Sequence, residues 1–213
     1  MTKKQVQNLI YSCLTPVLSE EAFRLQKSEG GFVRPIAAGR QYVGVPLWDY
    51  NPVFEFSLVM GVRIEKVEDI VNRFSGSPAK YQSGTETATF QLDRFMRKET
   101  TTFRATSESE LQTALSQLLP VIKNQIIPFL DEHQDLLSLA EEMNLNEIRK
   151  SVPGAAYAMG PVTVARLIDS PNFLAIVEGY RQRVSRLPKT EMEKFEKLVQ
   201  YLKILELNST RQS

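Results

Sequence analysis

The stretch from Arg40 to Phe74 reads RQYVGVPLWDYNPVFEFSLVMGVRIEKVEDIVNRF, and the fold turns on it. Tyr42, Val43, Val45, Leu47 and Trp48 have the β-branched and aromatic chemistry of a strand. They run into the turn signal Asp49-Tyr50-Asn51-Pro52. From Val53 to Val62, polar Glu55 and Ser57 alternate with Phe54, Phe56 and Leu58, the period of a strand with one face buried. Two such runs joined by about four turn residues predict an antiparallel hairpin with a long loop. The spacing then becomes helical at Ile64, Val67, Ile70, Val71 and Phe74. The expectation is a sheet centre followed by a helix that can lie on its buried face.

Working outward toward the N-terminus, Val6, Leu9, Ile10, Cys13, Leu14, Val17 and Leu18 put one apolar side on a helix over residues 3–18. Pro16 is expected to kink or shorten its last turn, since proline lacks the donor and crowds the carbonyl four residues back. Ala22–Lys27 and Phe32–Ile36 read as short strands separated by Ser28-Glu29-Gly30-Gly31, and Pro35 places the second at an edge or at its end. Beyond Phe74, residues 79–86 read as a loop, and residues 87–92 and 100–104 as two further strands.

From Ser107 onward the pattern is helical. Ser107 with Glu110 forms a capping box, and Leu111, Leu115, Leu118, Leu119, Ile122, Ile126 and Phe129 follow at helical spacing. Pro120 and Pro128 are expected to bend or break that run. A short helix follows over Leu136–Met143. Residues 151–159, with Pro153-Gly154, read as a linker. Three more helices are expected, starting at Pro161, at Pro171, and at Thr190 with Glu193 as a second capping box. The fold class is therefore α+β: an antiparallel meander of about 5–6 strands covered by helices, with an all-helical C-terminal half. Residues 1–150 are expected to form the α+β domain and residues 151–213 a helical extension packed on it.

The chain has 213 residues, 42% of them hydrophobic, and a formal net charge of +1. That supports an ordinary core and argues against nucleic-acid binding, which calls for a clearly basic protein or stripe. One cysteine, Cys13, excludes an intrachain disulfide. On its helix it reads as a small buried apolar group; a nucleophile would need a nearby base. The N-terminus lacks a continuous apolar run, and no window approaches the roughly 18 apolar residues of a membrane span. Neither export nor membrane insertion is expected, and the expected location is cytoplasmic.

The motifs of common chemistries are missing. Gly39 and Gly44 have the spacing of a phosphate loop, but Val45-Pro46 stands where lysine and a hydroxyl residue are needed. One histidine and one cysteine exclude the usual zinc sets, and His133 has no nucleophile elbow to serve. Asp131, Glu132 and Asp135 offer carboxylates to a metal, or else charge the start of the following helix. Glu65 with Glu68 and Asp69 offers a pair for acid–base work, or else forms the solvated side of its helix. No catalytic residue, metal or cofactor is expected.

Two stretches remain as candidate partner-binding sites. Arg181, Arg183 and Arg186 lie in the last turns of a helix that Pro188 ends. There they either complement the helix dipole or meet an acidic or phosphate-bearing partner. Trp48, Asp49 and Tyr50 sit at the central turn, where aromatics either fold back to plug the core or are offered to a partner.

Phe32-Val33-Arg34, Gly39-Arg40-Gln41, Asp49-Tyr50-Asn51-Pro52 and the Gly-x-Arg-x-x-x-Val-Glu run from Gly61 to Glu68 together resemble an uncharacterised family of bacterial proteins. That resemblance covers residues 20–75 best and implies no activity, cofactor or catalytic residue. Architecture alone suggests an analogy to immunity or adaptor proteins. The expected function is a non-catalytic binding protein of the immunity type, with a protein partner. The alternative is a small-ligand-binding protein or enzyme with its site between sheet and helices.

Overall fold

The structure is a computed structural model, described over residues 1–96, 102–143, 145 and 154–205. It divides into two compact units that are discontinuous in sequence: residues 1–62 with 88–134, and residues 63–87 with 135–213. The single boundary expected at residue 150 falls outside the described residues.

The first unit opens with α1 (Lys3–Glu20). Thr2 Oγ1 accepts from the Gln5 backbone at 3.3 Å while Gln5 Oε1 accepts from the Thr2 backbone at 2.7 Å, a reciprocal cap. Pro16 does not shorten this helix. It is exposed, as is Ser12 four residues back, so the carbonyl it leaves without a donor faces water. The helix ends when Phe23 N–H donates to Leu18 O and Ala22 N–H to Ser19 O. Ala22 lies in the left-handed region, and Leu18 and Phe23 are both buried.

Strands β1 (Arg24–Gln26), β2 (Gly31–Ile36) and β3 (Gly39–Gly44) pair antiparallel. Pro35 is tolerated because β1 reaches only as far as Val33, leaving that flank of β2 unpaired. Next come β4 (Leu47–Tyr50), β5 (Val53–Phe56) and β6 (Val59–Ile64). β7 (Ala88–Gln91) and β8 (Phe103–Ala105) complete two sheets, of order β1-β2-β3-β6-β7 and β4-β5-β8. The expected central hairpin is thus present but bent. Its outer part, β3 beside β6, belongs to the larger sheet, and its tip, β4 with β5, to the smaller one. The bend falls where Pro46 removes a ladder donor, opposite Ser57, whose N–H donates to Pro46 O at 3.2 Å.

The turn at the tip also differs from expectation. It is the two residues Asn51-Pro52, with a cis bond, and Asp49 and Tyr50 belong to β4, Tyr50 opposite Val53.

Helices α2 (Glu65–Ser75) and α3 (Ala79–Gln82) intervene between β6 and β7 and belong to the second unit. α3 occupies part of the expected loop. The first unit is completed by α4 (Glu108–Val121), a π-helical turn (Ile122–Ile126) and α5 (Ile127–Glu132). Ser107 caps α4 as expected, while Glu110 reaches one residue further back, to Thr106 N–H and its hydroxyl. Pro120 and Pro128 do not break the run. The wider π turn precedes Pro128 and displaces the carbonyls its ring would crowd. α1 and α4 pack together, and α4 packs on β8.

The second unit contains α6 (Leu136–Glu142), α7 (Ala156–Leu167), α8 (Phe173–Val184) and α9 (Lys189–Ile204). α2 packs against α7 and α9, burying Val67, Ile70 and Val71. α7 is buried on every side from Ala158 to Ala165 and is the unit's centre. Residues 156–159 of the expected linker are therefore the start of this helix, residues 151–153 lie outside the described residues, and Pro161 lies inside the helix. Gly160 has no Cβ to collide with the proline ring, which allows helical geometry before a proline. α9 starts on Pro188, not with a Thr190 capping box: Thr190 is already helical, and no side chain caps the start.

Candidate functional site

The β4–β5 tip presents its aromatics outward. Alternation along the strands puts Trp48 and Tyr50 on the face shared with Val53, Glu55 and Arg104. Phe54 and Phe56 turn to the other side, where they are buried. Trp48 is 42% exposed and Tyr50 60%, so neither ring plugs the core. Glu55, opposite Trp48, is tied to Arg104 at 2.7 Å on the far strand, and the pair lies beside the tryptophan on the same face. Asp49 Oδ1 accepts from Asn51 N–H at 3.1 Å and stiffens the approach to the turn. Recognition surfaces favour this combination, because rigid aromatics lose little entropy when covered.

The arginine stretch belongs to the second unit and behaves differently. Arg181 makes a two-pronged bond to Glu196, Nε to Oε1 at 2.6 Å and Nη2 to Oε2 at 3.2 Å, and reaches Glu178 at 2.6 Å. The Glu196 hydrogen bond raises its pKa further above the ordinary arginine value. Arg181 is thus a clamp between α8 and α9. Arg183 is half-buried and Arg186 exposed, and at about 100° per residue Arg181 and Arg183 leave α8 on opposite sides.

Two other arginines organise the interior of their units. Arg34 donates Nε to Gln41 Oε1 at 2.8 Å, Nη1 to Glu21 O at 3.3 Å and Nη2 to Asp131, and lies over the Phe23 ring. Gln41, fully buried, donates in turn to Leu130 O. Arg63, 5% exposed, meets Glu65 at 2.9 Å, Glu68 at 3.9 Å, and the carbonyls of Gln82 and Thr85. Burial opposes its charge, but the Glu65 hydrogen bond and the charges of Glu65, Glu68 and Glu86 carry its pKa above the ordinary value. Both guanidinium groups are paired as their apolar surroundings require.

Glu68 corrects the sequence reading. It does not lie on a solvated side: it is 3% exposed and accepts from the Thr87 hydroxyl at 3.0 Å, while Thr87 Oγ1 accepts from Ile64 N–H. Glu65 and Asp69 are exposed as expected.

Asp131 pairs with Arg34, and Asp135 caps α6 through Leu137 and Ser138 N–H. His133 donates Nδ1–H to Phe129 O at 2.6 Å and packs on the Phe129 ring. Cys13 is half-buried, and burial raises its thiol pKa, away from nucleophilic character. Among the described residues no group of three or more His, Cys, Asp and Glu is placed to hold a metal ion. No described helix is long and apolar enough to cross a membrane. The chain matches no family model, no curated protein and no solved structure.

Proposed function

We propose that the protein is a non-catalytic interaction protein and that Trp48, Asp49 and Tyr50 on the β4–β5 tip form its recognition surface. The observation that carries this reading is the outward face of β4, where two large exposed rings stand side by side with the Glu55–Arg104 ion pair of the neighbouring strands. Single exposed apolar residues need no explanation, but two aromatics on one face of a four-residue strand form a patch suited to a protein partner. An immunity-type role, with a toxin as the partner, is one form of this proposal.

The test is the double variant Asp49→Ala, Tyr50→Ala. Both side chains are exposed, so stability should stay within about 0.5 kcal/mol of wild type. Capture of the native partner from lysate, identified by mass spectrometry, should fall at least tenfold. Unchanged capture combined with a markedly lower melting temperature would make the tip structural and remove the reading.

A further inference from the structure

The smaller sheet has an edge that nothing covers among the described residues. In the order β4-β5-β8, β4 pairs on one side only. The phase of its ladder follows from the bend. Ser57 N–H donates to Pro46 O, so 46 and 57 form a hydrogen-bonded pair, and bonding alternates from there. The pairs Trp48 with Glu55 and Tyr50 with Val53 are then the bonded ones. Leu47 and Asp49 turn their N–H and C=O groups away from β5, to the open edge. Trp48, Asp49 and Tyr50 are exposed and Leu47 is half-buried, so the edge lies in water.

Natural proteins blunt such edges or use them. Here one side of the edge carries Trp48 and Tyr50, and the other carries the Asp49 carboxylate, which has no cationic partner among the described residues. We infer that β4 binds an extended segment of another protein as an added antiparallel strand. That segment would carry a lysine or arginine opposite Asp49 and apolar residues beside Trp48 and Tyr50. This rests on the proposed function and specifies how that surface recognises its partner. Charge chooses among occupants. In a second copy paired two-fold through Trp48, Leu47 of one chain would face Asp49 of the other, leaving both carboxylates without a cation.

The probes are blocked seven-residue peptides alternating threonine and valine about a central lysine, a matched set with central glutamate, and the lysine peptide N-methylated at alternate residues. The readouts are amide hydrogen exchange at Leu47 and Asp49 in the full chain, and molecular mass by light scattering. The lysine peptide is expected to slow exchange at both amides at least tenfold. The glutamate peptide should bind at least fivefold more weakly, and the N-methylated peptide should give no protection. Asp49→Pro removes an edge donor without touching the bonds to β5, and should abolish protection at Leu47; Asp49→Ala should keep it, with the lysine preference lost.

No protection by any peptide at millimolar concentration would overturn the inference, as would equal protection by the lysine and glutamate peptides. Protection that grows with protein concentration alone, with a dimer mass, would replace the partner segment by a second copy and also overturn it. If the Asp49→Ala, Tyr50→Ala variant loses its partner while Asp49→Pro behaves like Asp49→Ala, recognition runs through side chains only. In that case the strand-addition inference falls and the proposed function stands.

Discussion

At the scale of single residues, two backbone positions decide more than their side chains suggest. Ala22 closes α1 in a left-handed conformation, φ 63°, that L-residues avoid. Glycine adopts it freely but loses more entropy on folding, so Ala22→Gly should stabilise the chain by about 0.5–1 kcal/mol. A higher urea midpoint at unchanged slope would show it. Gly31 faces Gly44 across β2 and β3, beneath the Tyr42 ring, and a Cβ at Gly31 would run into Val43 O, Gly44 Cα at 2.8 Å and Tyr42. Two of those obstacles are backbone. Gly31→Ala should therefore cost about 2–3 kcal/mol, read as a lower midpoint in the same titration.

Glu191 supplies a pH dependence at the same scale. The hydrogen bond from Lys194, at 2.6 Å, and the bond from Ala155 N–H hold its carboxyl below the usual carboxylate range. A carboxyl depressed in the folded state contributes stability above its unfolded pKa of about 4.3, and loses that contribution as pH falls through the folded value. Glu191→Gln should therefore flatten the decline of stability below about pH 4.3. An unchanged acid limb in urea titrations between neutrality and acid would contradict this.

At the scale of elements, Arg34 binds β2 to its neighbours. It joins β2 to Gln41 on β3, to Asp131 on α5 and to the chain leaving α1. Arg34→Met keeps most of the packing over Phe23 but leaves Gln41 Oε1 without its donor in a fully buried site. A loss of about 2–3 kcal/mol is expected. Arg34→Lys should fall between, since an ammonium cannot span three acceptors in one plane. The helical run from α4 to α5 shows the opposite economy: Pro120 sits inside α4, Pro128 is accommodated by the π turn before it, and the helix stays continuous.

At the scale of the molecule, the two units are interleaved along the chain, so no single cut separates them. α2 lies early in the sequence, yet its apolar face meets α7 and α9. A chain ending at residue 150 should leave Val67, Ile70 and Val71 uncovered. It should bind a hydrophobic dye strongly and show less helix by circular dichroism than residues 1–150 hold in the full chain. A truncated chain with native helix content and no dye binding would mean α2 folds without those partners.

Much of this was legible in local pattern. The two-residue period of Val53–Phe56, the helical spacing of α2 and the Ser107 cap all follow from contacts within a few residues. The outward tryptophan was left open, because a ring in a turn has the same sequence whether it plugs the core or faces water. The burial of Glu68 depended on Arg63 and Thr87, and the second is 19 residues away. Pro46 and Gly160 permit the bend and the helix through Pro161, but that the chain uses them so, and that β4 keeps a free edge, was decided by tertiary structure. Which strands pair, and which flank is left over, is set by long-range packing, and the residues of an edge strand do not record that no neighbour arrives.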